Sequence, residues 1–142
     1  MNTQAISRYF TYREALLLPR WMRLATESDG LTDQILENLR GTFTKMDSVR
    51  EYFKAPIYVH CAYRPPAYNK LIGGAEHSAH IDGLAVDFEV HGMQCSEAIS
   101  LILRDEMLDE WDMRMEDNGD DPSWIHLDLR APKTPYDRYF KP

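Results

Sequence analysis

Residues 76–91 read EHSAHIDGLAVDFEVH, and the way this stretch folds back on itself decides the architecture. His77, His80, Asp87 and His91 all fall inside it, so it is either a metal site or a polar loop leading into a strand. Residues 84–90, LAVDFEV, alternate in the manner of a strand. Ala85, Asp87 and Glu89 share one face, while Leu84, Val86, Phe88 and Val90 share the other, against a core. His80 and Asp87 would stand about 23 Å apart in an unbroken strand at ~3.3 Å per residue. In a helix they would be roughly 10 Å apart along the axis. Neither distance allows one ion to be shared, so the chain must reverse between them. Ile81-Asp82-Gly83 supplies the turn, since Gly83 can take a positive φ that other residues resist. His80 then precedes the turn, Asp87 lies on the returning strand, and Ala85 leaves room beside it.

A third ligand is offered by the segment WIHLDLR, residues 124–130. On a strand over 124–129, Trp124, His126 and Asp128 share a face and Ile125, Leu127 and Leu129 take the other. Two histidines and an aspartate suit zinc, with a fourth position open for water. Zinc would bring that water's pKa towards ~7 and polarise a carbonyl, chemistry suited to amide hydrolysis. A lone strand histidine is more often a surface or satisfied core residue, so from these residues alone the bland reading stays open.

Around these strands the pattern is mixed. Residues 12–24 look helical with an interruption at Pro19. Thr32 caps the best helix, whose Ile35, Leu36, Leu39, Phe43, Met46, Val49 and Phe53 recur at three- and four-residue steps until Pro56. Residues 57–62 read as a strand, 67–73 as a short helix stopped by Gly73-Gly74, and 96–107 as a helix. Segments 112–116 and 124–129 read as a hairpin, and the tail from Ala131 is expected to wrap the surface. The order predicts an α+β fold, a small antiparallel sheet with helices packed to one side.

The chain of 142 residues suits one domain, 1–142, with 131–142 as its tail. A formal charge of −7 with scattered basic residues argues against nucleic acid and anionic lipid as partners. Cys61 and Cys95 read as buried, reduced thiols. No segment approaches the ~18 apolar residues of a membrane span. The first 21 residues lack a signal peptide's arrangement, so cytoplasmic synthesis is expected, with release by another agent if the protein acts outside. A monomer is expected.

The pattern Ser78-x-His80-x-x-Gly83-x-Ala85-x-Asp87, followed by Trp124-Ile125-His126-Leu127-Asp128, resembles the zinc D-Ala-D-Ala carboxypeptidase and peptidoglycan endopeptidase family. That family shares its fold with the hedgehog signalling domain. Residues 62–74, AYRPPAYNKLIGG, are similar to the family's S-G-Y-R-S-P-x-x-N-x-x-x-G-G, and residues 10–16 and 32–59 resemble the lead-in of phage-type members. The resemblance covers the chain to about residue 130. It implies one Zn2+ per chain held by His80, Asp87 and His126, and a peptidoglycan peptide as substrate. It implies that Arg64 holds a carboxylate of that peptide, for which a planar guanidinium is suited. It also implies a role for Ser78 at the substrate backbone. Tyr63 belongs with them in the substrate-binding motif, although Tyr63 and Asn69 could instead brace the loop.

The chain departs from the family pattern at Ser123, where many members place the general base three residues before the last histidine. Glu116 is the favoured substitute, since a 112–116/124–129 hairpin can bring it beside His126; Asp121 is the second candidate and Asp120 a third. A catalytically inactive, metal-holding wall-binding or structural module is the alternative reading. His60 is read as solvated or hydrogen-bonded, His77 as a turn residue, His91 as exposed, Glu89 as a solvated sheet residue. Asp128 is a candidate for orienting a ligand histidine through its ring N–H.

Overall fold

The computed structural model describes residues 4–142; the first three residues of the stretch read for a signal sequence lie outside the described residues. Thr11 opens α1 (Tyr12–Leu16) with a reciprocal cap: Glu14 N–H donates to the Thr11 hydroxyl and Thr11 N–H to the Glu14 carboxylate. The helix expected over 12–24 stops there. Pro19 disfavours helical backbone at the residue before it, Leu18 sits at φ −109°, ψ 92°, and β1 (Leu17–Leu18) pairs with β2 (Arg23–Leu24) as a small hairpin.

The long helix α2 (Asp33–Phe53) starts where Thr32 accepts from Ile35 N–H at 3.2 Å and ends at Lys54 in left-handed backbone. Its stripe of Leu39, Phe43, Met46 and Val49 is fully buried. These side chains pack against the apolar face of a sheet built from β3 (Ile57–Cys61), β4 (Ala85–Val90), β5 (Arg114–Glu116), β6 (Ile125–Asp128) and β7 (Tyr139–Phe140). The strand order is β3-β4-β6-β5-β7. The first four are antiparallel neighbours; β7 runs parallel to β5. Val86, Phe88, Val90, Ile125, Leu127 and Met115 supply the sheet's side of the core, as the alternation requires. The other helices are α3 (Pro66–Leu71), with Pro66 at its tolerant first position, then α4 (Cys95–Arg104) and α5 (Met107–Trp111). The fold is α+β. No helix among the described residues is long and apolar enough to cross a membrane. Both cysteines are buried and free.

Two expectations are corrected at the carboxy-terminal end. The helix expected to run to Met107 breaks at Glu106, which takes left-handed backbone (φ 55°), and α5 follows. The tail does not merely wrap the surface. Met115 and Asp117 present N–H groups at the edge of β5, and the carbonyls of Arg138 and Phe140 accept them, both at 2.6 Å. An edge strand's unpaired amides are satisfied by the tail, and the sheet gains a fifth strand.

Candidate metal centre

The register of the sheet brings two of the functional side chains together. Asp87 on β4 stands directly opposite His126 on β6, both on the face away from the apolar core. His80 arrives from the turn Ala79–Asp82, a single 3-10 turn whose first N–H groups are gathered by Ser78: its hydroxyl accepts from His80 N–H at 3.2 Å. The turn closes at Gly83, at φ +73°, where a Cβ would stand 3.0 Å from the Ile35 carbonyl of α2. α2 also fastens the turn: Thr42 donates its hydroxyl to the Gly83 carbonyl at 2.8 Å, and Asn38 donates to the Asp82 carbonyl at 2.9 Å.

One nitrogen or oxygen of each of His80, Asp87 and His126 lies within 4.8 Å of the other two, and all three residues are buried. Asp87 Oδ1 is the common atom, 3.1 Å from His80 Nε2 and 2.9 Å from His126 Nδ1. Ligands at 2.0–2.2 Å around a tetrahedral ion stand about 3.3 Å apart, close to these separations. The two rings are prepared differently. His80 Nδ1 donates to the Ala62 carbonyl at 2.6 Å, which fixes the tautomer and aims the Nε2 lone pair at Asp87. Nε2 is buried and has no hydrogen-bond partner. Burial lowers the His80 pKa against the pull of Asp87, so the ring is a neutral donor. His126 instead lies between carboxylates, with Nδ1 on Asp87 and Nε2 on Asp128, each at 2.9 Å. Burial works against its charge, but the bonds to Asp128 and Asp87 outweigh burial and raise its pKa to about 9. Asp87 is correspondingly held below the usual carboxylate range: burial opposes its charge, and the two histidines prevail.

An orphaned buried imidazole nitrogen beside a carboxylate and a second imidazole is a donor set that fits zinc. Asp128 orients His126 and is itself gripped by Arg114, whose Nε and Nη2 bond its two oxygens at 2.8 and 2.9 Å. Glu116, two residues along β5 from Arg114, has its Oε2 3.7 Å from His126 Nδ1.

These groups form the floor of a cleft of about 580 Å³, lined also by Ser78, His77, Trp124, Arg130 and Phe140. Arg64 lines it too, donating from Nη2 to Asp87 Oδ2 at 2.9 Å. The structure does not bring Tyr63 or Asp121 into it. Tyr63 is fully buried in the core, its hydroxyl beside Gly30, where a Cβ would stand 3.6 Å from it. Asp121 and Asp120 are exposed in the turn before β6. Asn69 braces the loop: it donates to the Ala75 carbonyl at 2.9 Å, and a Cβ at Gly74 would meet its side chain at 2.1 Å. His60 bonds Glu89 at 2.6 Å on the open part of the sheet. His77 and His91 are exposed.

Three cleft residues escaped the sequence reading. Arg114 had a usable signal, its alternation with Glu116 on one strand face. Arg130 bonds the His77 carbonyl and Asp82 and so ties the histidine-bearing loop to the end of β6; Phe140 sits in the tail strand. Neither had a sequence signal.

No curated protein and no solved structure matches the chain. A family model described as Peptidase M15 matches residues 9–128, which span every ligand candidate, both carboxylates that flank them and the loop that carries His80. The chain therefore belongs to the peptidase M15 family of metallopeptidases.

Proposed function

We propose that the protein hydrolyses peptide bonds in peptidoglycan stem peptides or cross-links, with zinc held by His80 Nε2, Asp87 and His126 Nδ1. The observation that carries this reading is the convergence of those three atoms with one of them, His80 Nε2, buried and unpartnered. When bound, zinc supplies Lewis acidity, acidifying water and polarising a carbonyl.

The chain's own residues do the rest. Glu116, beside His126 and on the cleft wall, takes a proton from the attacking water and returns it to the leaving amine. Asp128 holds the His126 Nε2 proton and the ring's orientation. Arg64 fixes the carboxylate end of the peptide, and Ser78, which also lines the cleft, contacts its backbone.

The test is digestion of purified muropeptides with products identified by mass. Cleavage should stop on chelation and return with zinc; cleavage indifferent to a strong chelator would sink the proposal. Glu116→Gln should lose about 10²–10⁴-fold in rate and keep its zinc. Unchanged wall binding by a wild-type protein that loads zinc yet cleaves nothing would instead favour the inactive wall-binding module.

A further inference from the structure

The strand β7 lies beyond the segment matched by the family model, yet it reaches the metal centre. Phe140 lines the cleft, its ring centroid 4.0 Å from the Arg114 guanidinium carbon and 6.2 Å from the His126 ring, edge to face. The tail is not loosely placed. Besides the two backbone bonds to β5, Arg138 binds Asp112 at 2.9 Å, Asp109 at 3.1 Å and the Met113 carbonyl at 3.3 Å. The same guanidinium that Phe140 covers grips Asp128, and Asp128 holds His126. A guanidinium stacked on a ring and forked onto a carboxylate is fixed in two directions.

We infer that Phe140 is a positioning residue for the metal centre: it seats Arg114, and through Arg114 and Asp128 it sets the orientation of His126. This rests on His126 being a metal ligand. The ring contributes its negative face and its bulk; an aliphatic side chain supplies only the bulk. Phe140 is half-buried at an edge, so its replacement leaves the core intact.

The experiment compares wild type, Phe140→Leu, Phe140→Tyr, Arg114→Lys and the Leu/Lys double variant. Zinc affinity is read by competition with a chromophoric chelator, and kcat and KM by muropeptide cleavage. Removing partners that orient a ligand costs about 10–100-fold in metal affinity. Arg114→Lys should fall in that range and Phe140→Leu, one contact further out, near its lower end, about ten-fold. Phe140→Tyr should restore affinity. The double variant should bind zinc no more weakly than Arg114→Lys alone, because both act through one guanidinium. The loss in cleavage should appear in kcat with KM unchanged. Wild-type zinc binding with Phe140→Leu equal to it, or additive losses in the double variant, overturns the inference and spares the metal site. A wild type that binds no zinc overturns both. Phe140→Leu weakened with Phe140→Tyr no better would also overturn it, since the ring's face would then be irrelevant. Should Phe140→Leu prove unfolded, Phe140→Met with and without Arg114→Lys decides by the same comparison, since methionine also keeps bulk and loses the ring face.

Discussion

The two histidines of the metal centre face the same carboxylate and are prepared in opposite ways. His80 gives its proton to a backbone carbonyl and keeps a bare nitrogen in a buried place. His126 sits between two carboxylates and, in the absence of metal, is held charged. One ring is ready for a cation; the other must give up a proton to receive one. Asp87 therefore has two parts to play: without metal it is the counter-ion of His126, and the proposed zinc would take both as ligands.

Deleting each ring should have the largest effect. His126→Ala strands Asp87 and Asp128 as buried carboxylates short of a partner, at a cost of about 3–5 kcal/mol. His80→Ala strands one carbonyl and should cost the metal-free protein about 1–3 kcal/mol. Both should abolish zinc binding. Urea denaturation of the metal-free variants checks the difference, and equal losses would erase the proposed asymmetry.

The stability of the metal-free protein should also depend on pH. The His126 pKa is raised from 6.5 to about 9, so its stabilisation is full below pH 6.5 and drains away as pH rises through 9. The size is roughly 3 kcal/mol. Zinc-loaded protein should show no such decline in that window, because the ion takes the proton's place. Calorimetry at pH 7 in buffers of different ionisation enthalpy should then find about one proton released per zinc bound; none released means His126 was already neutral.

A smaller effect is expected from Asp128→Asn, which keeps the shape but weakens the hold on His126 Nε2: zinc affinity should fall about 10–100-fold. Smallest is Ser78→Ala, which removes the hydroxyl that caps the His80 turn and should cost about 1 kcal/mol, with thermal melts as the readout.

Much of this arrangement was legible in the sequence wherever periodicity was long or a turn was chemically marked. The stripe from Leu39 to Val49 announced α2, alternation in 84–90 and 124–129 assigned the core and cleft faces, and Gly83 marked the reversal that brings His80 beside Asp87. What stayed hidden was short or depended on distant partners. The five residues of α5 and the two of β7 carry no period to read. The hairpin around Pro19 depends on Leu18 being drawn into the core. Tyr63 looked like a cleft residue because its motif neighbours are; its ring packs instead in the core beside Gly30, far upstream in the chain. The clamp of Arg64 on Asp87 likewise joins residues whose relation appears only once β3 and β4 are paired.

The fastening of the His80 turn by Thr42 and Asn38 has a kinetic consequence. Two of the proposed ligands sit on hydrogen-bonded neighbours in one sheet, and the third is bolted to the longest helix, so their spacing is already close to the one a bound ion would need. Uptake should therefore resemble filling a rigid socket: fast, with little change in circular dichroism, and with release limited by how readily ligand bonds break and not by unfolding.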